Sequence, residues 1–194
     1  MINICAKEEL LKRIINEQEM FILFDEDFIE VLEKFDKICE LTLWFGRDIF
    51  SRAKIKALLE CLRTRQYKGQ IKLNLVDEET GDTEITAKID LFRKVSQVKI
   101  TVLKKNELSE LAYKYEKTDK LSCELTKGQE FISLAGQRPV NFCVSAWMNL
   151  EPFVYLLNLG AYAIYDEWMK NPYQAIVSCN DGVRPVSFLL ESFI

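Results

Sequence analysis

Residues 41–65, LTLWFGRDIFSRAKIKALLECLRTR, decide how this chain is read, because the spacing of their apolar residues changes period part-way along. Leu41 to Phe45 make a short, largely apolar run, the pattern of a buried strand. From Ile49 onward Ile55, Leu58, Leu59 and Leu62 return at helical spacing, with Asp48 or Ser51 available as a cap. Gly46-Arg47-Asp48 lies between the two. A strand that ends in a polar loop and leads into a helix is how open α/β sheets present polar groups to ligands. After a Lys68-Gly69 turn, IKLNLVD alternates Ile71, Leu73 and Leu75 with Lys72 and Asn74, which predicts a second strand. The three pieces make a β-α-β unit, and such units join parallel strands by right-handed crossovers.

Upstream, residues 6–18 read as an amphipathic helix with Leu10, Leu11, Ile14 and Ile15 on one side. The segment MFILFDEDFIEVLEKFDKICE is open between a short strand followed by a helix and one longer helix, with its second half at helical spacing. Asp25, Glu26 and Asp27 then fall at a helix start, where negative charge suits the helix dipole. Downstream, EETGD signals a turn, with Thr80-Gly81-Asp82 at a hairpin tip and alternation resuming from Thr83 to Phe92. Val98–Leu103 is a further strand, and Asn106–Tyr115 a helix.

Beyond Thr118 the pattern reads as helices. Thr126 and Gln129 have capping-box spacing for a helix through Leu134, ended by Gly136. Glu151-Pro152 opens another helix, with proline in its first turn, running until Asn171-Pro172. The last segment is open between a hairpin about Asn180-Asp181-Gly182 and a loop followed by a short helix. Pro185 and the run SFLLESF favour the helix. The expected fold is therefore α/β: a small mixed sheet with a Rossmann-like strand-loop-helix in residues 1–115, and a helical C-terminal part in 116–194. The two are expected to pack as one compact unit.

Composition narrows the chemistry. The 194 residues are 48% hydrophobic and 29% charged, ordinary for a folded domain. A net charge of −4 gives no overall positive field to draw the chain to nucleic acid or an anionic membrane. There is no histidine, which removes the commonest general base, Ser-His and Cys-His nucleophiles, and imidazole zinc sites. Phosphate-cradling loops and the G-x-S-x-G nucleophile elbow are missing, and seven glycines leave little material for them. Six cysteines lie far apart with no C-x-x-C pair, which reads as small buried hydrophobes in a reducing compartment. The N-terminus carries no uninterrupted apolar stretch of signal-peptide length, and no apolar run is long enough to span a bilayer. A cytoplasmic location, no membrane partner, no cofactor and no resident metal are expected.

The candidate site is the polar set at the predicted strand ends: Arg47 and Asp48 after the first, Asp77 and Glu78 after the second. On parallel neighbouring strands these groups share one sheet edge, a mixed-charge cleft suited to a divalent cation or an anionic ligand. The competing reading is ion pairing and helix capping among the same residues. Trp44, Trp147 and Trp168 sit in apolar stretches and read as core, not as base-stacking platforms. Arg52, Lys56 and Arg63 lie on one helix and read as a solvated face, which ranks nucleic-acid binding last.

LTLWFGRDIF, LTKGQEFISLAG leading into SAWMNLEPFVYLL, and the terminal NPY and NDGVRPVSFLLESF segments together resemble an uncharacterised family of bacterial α/β proteins. That family is known by a Trp-Phe-x-x-Asp-(Leu/Ile)-(Phe/Tyr) signature. Trp44, Phe45, Asp48, Ile49 and Phe50 match it, and Ala146, Trp147, Pro152, Gly182 and Val183 fall at its later features. Arg47 stands where family members often carry histidine, and the hairpin around Thr80–Asp82 has no obvious counterpart. The resemblance covers about four-fifths of the chain and implies a Rossmann-like half followed by a helical half, but no activity. The expectation for function is a non-enzymatic protein acting through contacts with another protein, regulatory or toxin-neutralising. The alternative is a small-ligand or metal-dependent phosphate-ligand binder or enzyme using Arg47, Asp48, Asp77 and Glu78.

Overall fold

The computed structural model describes residues 2–5, 20–23, 40–64, 66–77, 79–106, 109–117, 123–166 and 168–193. The expected helices over 6–18 and the second half of 20–40, the acidic cluster at 25–27, and Glu78 lie outside them. In chain order the elements are β1 (Ile2–Cys5), β2 (Met20–Leu23), β3 (Glu40–Phe45), α1 (Ile49–Thr64), β4 (Gln70–Val76), β5 (Thr83–Ile89), β6 (Gln97–Lys105), α2 (Ser109–Tyr115), β7 (Glu130–Leu134), α3 (Val144–Asn158), β8 (Ala161–Tyr162), β9 (Gln174–Ser178) and β10 (Val186–Phe193). They form two units, one of Met1–Arg93 with Leu159–Lys170, the other of Lys94–Asn158 with Asn171–Ile194. The sequence places its change of character near residue 115. The chain instead passes between the units three times, after Arg93, Asn158 and Lys170, with β6 in the second sheet and β8 in the first.

The first unit is a six-stranded sheet in the order β2-β1-β3-β4-β5-β8. The first four of these strands are parallel, and β5 and β8 are antiparallel to their neighbours. Leu41, Leu43, Phe45, Leu73 and Leu75 are buried, as are Ile55, Leu58, Leu59 and Leu62 of α1, which packs on β3. Helix α1 starts as its sequence dictates: Asp48 Oδ1 accepts the Ser51 amide at 2.9 Å, and the Arg52 amide bonds the Asp48 carbonyl at 3.1 Å. It ends on a Schellman motif, with Tyr67 N–H on the Leu62 carbonyl, Gln66 N–H on the Arg63 carbonyl, and Gln66 left-handed at φ 55°.

The opposite alternation of the same strands carries a polar chain. Trp44, Asn74 and Thr86 face one another in register across β3, β4 and β5. The Asn74 amide oxygen accepts the Trp44 indole N–H at 3.0 Å and its nitrogen donates to the Thr86 hydroxyl at 3.0 Å. Buried polar groups must find partners, and this in-register row supplies them for Asn74, which is 6% exposed.

The second unit is an antiparallel four-stranded sheet, β7-β6-β10-β9. Val98, Ile100 and Val102 of β6, Val186, Phe188 and Leu190 of β10, and Ala175 and Val177 of β9 are its buried hydrophobic residues. Helix α3 packs against β6, β9 and β10, with Ala146, Leu150, Val154 and Leu157 buried along one stripe. Phe142 sits edge-on to Phe131, with centroids 4.8 Å apart, and tilted against Phe188 at 5.6 Å.

This second sheet overturns the expected Rossmann-like α/β fold with a helical C-terminal part, since the C-terminal half contributes three of its four strands and a single helix. Four local readings fail for identifiable reasons. The capping-box pair does form one of its bonds, Gln129 Oε1 accepting the Thr126 amide at 3.2 Å, but it closes a turn. Gly128, at φ 84°, donates there to the Val102 carbonyl, and the chain enters β7 opposite β6. Pro152 lies inside α3 rather than at its start. The apolar stripe from Ala146 to Leu157 is continuous through it, and burial outweighs the one backbone bond a proline forfeits. The same helix stops at Asn158 instead of reaching 170, because Gly160 at φ 94° turns the chain into β8. Finally, SFLLESF is not a helix: Phe188, Leu190 and Ser192 alternate inward on β10, which pairs with both β6 and β9.

Candidate functional site

Because β3 and β4 are parallel neighbours, their C-terminal ends do deliver Arg47, Asp48 and Asp77 to one edge of the first sheet. Each side chain there also makes local contacts. Asp48 is the cap of α1. Asp77 folds back on its own hairpin, its Oδ1 accepting the amides of Thr80 at 2.8 Å and Glu79 at 3.0 Å. Those two amides, Thr80 first, hold its carboxyl below the usual value against a small opposing effect of burial, and the positive charge of Arg47 adds to the lowering. The hairpin is closed by Asp77 N–H on the Asp82 carbonyl and Gly81 N–H on the Asp77 carbonyl, both 2.9 Å, with Gly81 at φ 74°. Glu78 is outside the described residues.

Arg47 reaches across to β5. Its Nε and one terminal nitrogen lie 3.0 and 2.9 Å from the same oxygen of Glu84, a pair that is 48% and 26% exposed. Above it stands a residue the sequence did not single out. Tyr165 donates its hydroxyl to the Glu84 carbonyl at 3.2 Å and its backbone N–H to the Thr86 carbonyl at 2.9 Å. Partial burial, and then the charge of Glu84, raise the Tyr165 phenol above its ordinary value. Its ring meets Trp168 edge to face, 6.0 Å between centroids and 69° between planes. Tyr165 is 44% exposed and Trp168 53%, so Trp168 is not a core residue. The segment that presents them holds Ala163, Tyr165 and Asp166 at φ between 49° and 54°. Non-glycine residues in that region store strain unless the surroundings over-determine it, and the bonds of Tyr165 to β5 do so here.

The edge therefore carries a contiguous series, Asp77, Arg47, Glu84, Tyr165 and Trp168, of which the sequence supplied the first two. Tyr165 falls within the stretch from Glu151-Pro152 to Asn171-Pro172 that reads as one helix, Trp168 reads as core, and Glu84 is one residue of an alternating strand. Gly160 was the available signal that the helix stops earlier.

Comparison with protein-family models, with curated proteins and with solved structures finds no match. The chemistry must be read from the residues themselves. Among the described residues no group of three or more cysteines and carboxylates is arranged to hold a metal ion, and no helix is long and apolar enough to cross a membrane. Cys61, Cys123, Cys143 and Cys179 are free thiols; the first, second and fourth are half-buried and Cys143 is exposed, so none is the fully buried hydrophobe the sequence suggested.

Proposed function

We propose that this chain acts through contact with another protein and that the Tyr165–Trp168 ledge, with Arg47 beside it, is the contact surface. The observation that carries this reading is the edge-to-face pair of half-exposed aromatics, anchored by the Tyr165 hydroxyl on the backbone carbonyl of Glu84, whose side chain pairs with Arg47. Trp, Tyr and Arg are the residue types in which binding energy concentrates at protein interfaces. Two aromatic rings held in a defined geometry lose little further freedom on docking, which favours affinity. Asp48 and Asp77, which a ligand-binding cleft would need, are instead engaged in the cap of α1 and the β4–β5 turn.

The test is affinity capture from the native host with the full chain and with Trp168→Ala. Truncating an interface hot spot costs about 2 kcal/mol or more, roughly thirtyfold in affinity. A protein retained by the parent chain and lost with Trp168→Ala, at unchanged thermal stability, supports the reading. Capture of the same proteins by both refutes it.

A further inference from the structure

Building on the proposed contact surface, we infer that the segment docking on the Tyr165–Trp168 ledge is a basic stretch of the partner protein. The ledge is an exposed aromatic surface in an unbalanced electrostatic setting. Its described cations are Arg47, paired with Glu84, and Lys170, two residues beyond Trp168. The charge of Arg47 also reaches Asp77, the β4–β5 hairpin carries Glu79 and Asp82 besides, and Asp166 follows Tyr165. Carboxylates still outnumber cations along the hairpin and the Tyr165–Lys170 segment. Asp77 is held in place by local bonds from the amides of Glu79 and Thr80.

The charge and the rings call for the same partner chemistry. A negative rim steers and orders a cationic segment and disfavours an anionic one. An edge-to-face pair leaves ring faces uncovered, and a Lys ammonium or Arg guanidinium seated on Trp or Tyr is attracted by the ring quadrupole. Lys and Arg stems also cover apolar surface while their heads reach the carboxylates. A nucleic acid would face the same rim with the wrong sign, and a purely apolar segment would leave it desolvated without compensation.

The experiment uses the full chain labelled with nitrogen-15, titrated in separate arms with an oligolysine peptide, an oligoglutamate peptide of equal length, a single-stranded oligonucleotide, and calcium chloride at matched ionic strength. The expected result is a saturable shift of the Trp168 indole N–H and of the amides from Glu79 to Glu84 with oligolysine only. That binding should weaken as salt rises. It should weaken about threefold to tenfold in the doubly neutralised variant Asp82→Asn with Asp166→Asn, each exposed charge contributing modestly. Equal shifts with oligoglutamate or the oligonucleotide, shifts reproduced by calcium alone, or no shift at these residues overturn the inference. If oligolysine fails while affinity capture still depends on Trp168, this inference falls and the contact surface stands. If oligolysine binds equally well to Trp168→Ala, both fall.

Discussion

Replacing Gly160 by alanine tests the turn that decides the fold of residues 153–170. Gly160 sits at φ 94°, and a Cβ there would lie 2.8 Å from the Asp90 carbonyl oxygen and 3.0 Å from that of Arg93. Neither oxygen yields cheaply, because both are backbone. The Asp90 carbonyl already accepts the Arg93 amide at 3.2 Å, and the Asp90 amide donates to Gly160 itself at 3.1 Å. Holding an L-residue in this conformation costs about 1–3 kcal/mol. Forcing the surrounding backbone aside adds about 1–3 kcal/mol, as overpacking does. The expected destabilisation is therefore about 4 kcal/mol. At about 2–4 °C per kcal/mol for a chain of this length, the midpoint falls by about 8–16 °C. Urea denaturation with hydrogen exchange of the β5 and β8 amides measures the effect on the unit that contains the turn. Gly128→Ala is the control, since Gly128 has a comparable φ of 84° but nothing within 4 Å of its added Cβ. It should lose only the backbone part. A Gly160→Ala cost no larger than that of Gly128→Ala would refute the close approach to Asp90 and Arg93, and with it the account of why the helix stops.

Arg184 and Glu116 form a two-bond ion pair, 2.6 and 2.8 Å, with both side chains mostly buried at 11% and 15% exposure, tying the end of α2 to the loop before β10. Glu116→Ala should cost about 3 kcal/mol by removing the two short bonds to a mostly buried guanidinium while its longer contact to Asp181, 3.7 Å, remains, whereas the double change Glu116→Leu with Arg184→Met should cost much less; equal losses by urea denaturation would refute the pairing. Asp77 gives a pH prediction of definite sign. Its folded pKa is depressed below 3.8, so its contribution is fully present above that value and is lost as pH falls through the folded pKa. Carbon-13 titration of its carboxyl should show the low midpoint and a return toward the ordinary value in Thr80→Pro, which removes the amide that contributes most; an unshifted midpoint in the parent chain would refute the turn geometry.

Much of the first unit was legible from local pattern. The alternation in IKLNLVD and in the segment after Thr83, the helical stripe from Ile55 to Leu62, and Asp48 as a cap all follow from sequence neighbours, and the β4–β5 hairpin sits where EETGD puts it. The C-terminal half was misread where local and long-range signals compete. Thr126 and Gln129 make a bond of the expected kind, yet the same short-range contact fits a turn as well as a helix start. SFLLESF places apolar residues both adjacent and alternating, and only pairing with β6, some ninety residues earlier, selects the strand. Of the candidate site, Arg47 and Asp77 were found because they end neighbouring strands. Tyr165 and Trp168 were missed because their proximity depends on β8 crossing back to β5, and Glu84 because its pairing with Arg47 spans three strands of the sheet.

By itself the sequence determined what nearby residues control: the cap and period of α1, the parallel β3-α1-β4 arrangement, the hairpin at Thr80–Asp82, and the chemistry excluded by the lack of histidine. Tertiary structure alone decided that β6, β7, β9 and β10 make one sheet, that the chain leaves the first unit and returns to it, and that Trp168 stands at the surface. The physical reason is that a helix closes its hydrogen bonds within one turn, so its pattern is written locally. A strand completes its bonds on a partner that can lie anywhere in the chain, and an ambiguous apolar run takes the conformation its partner imposes.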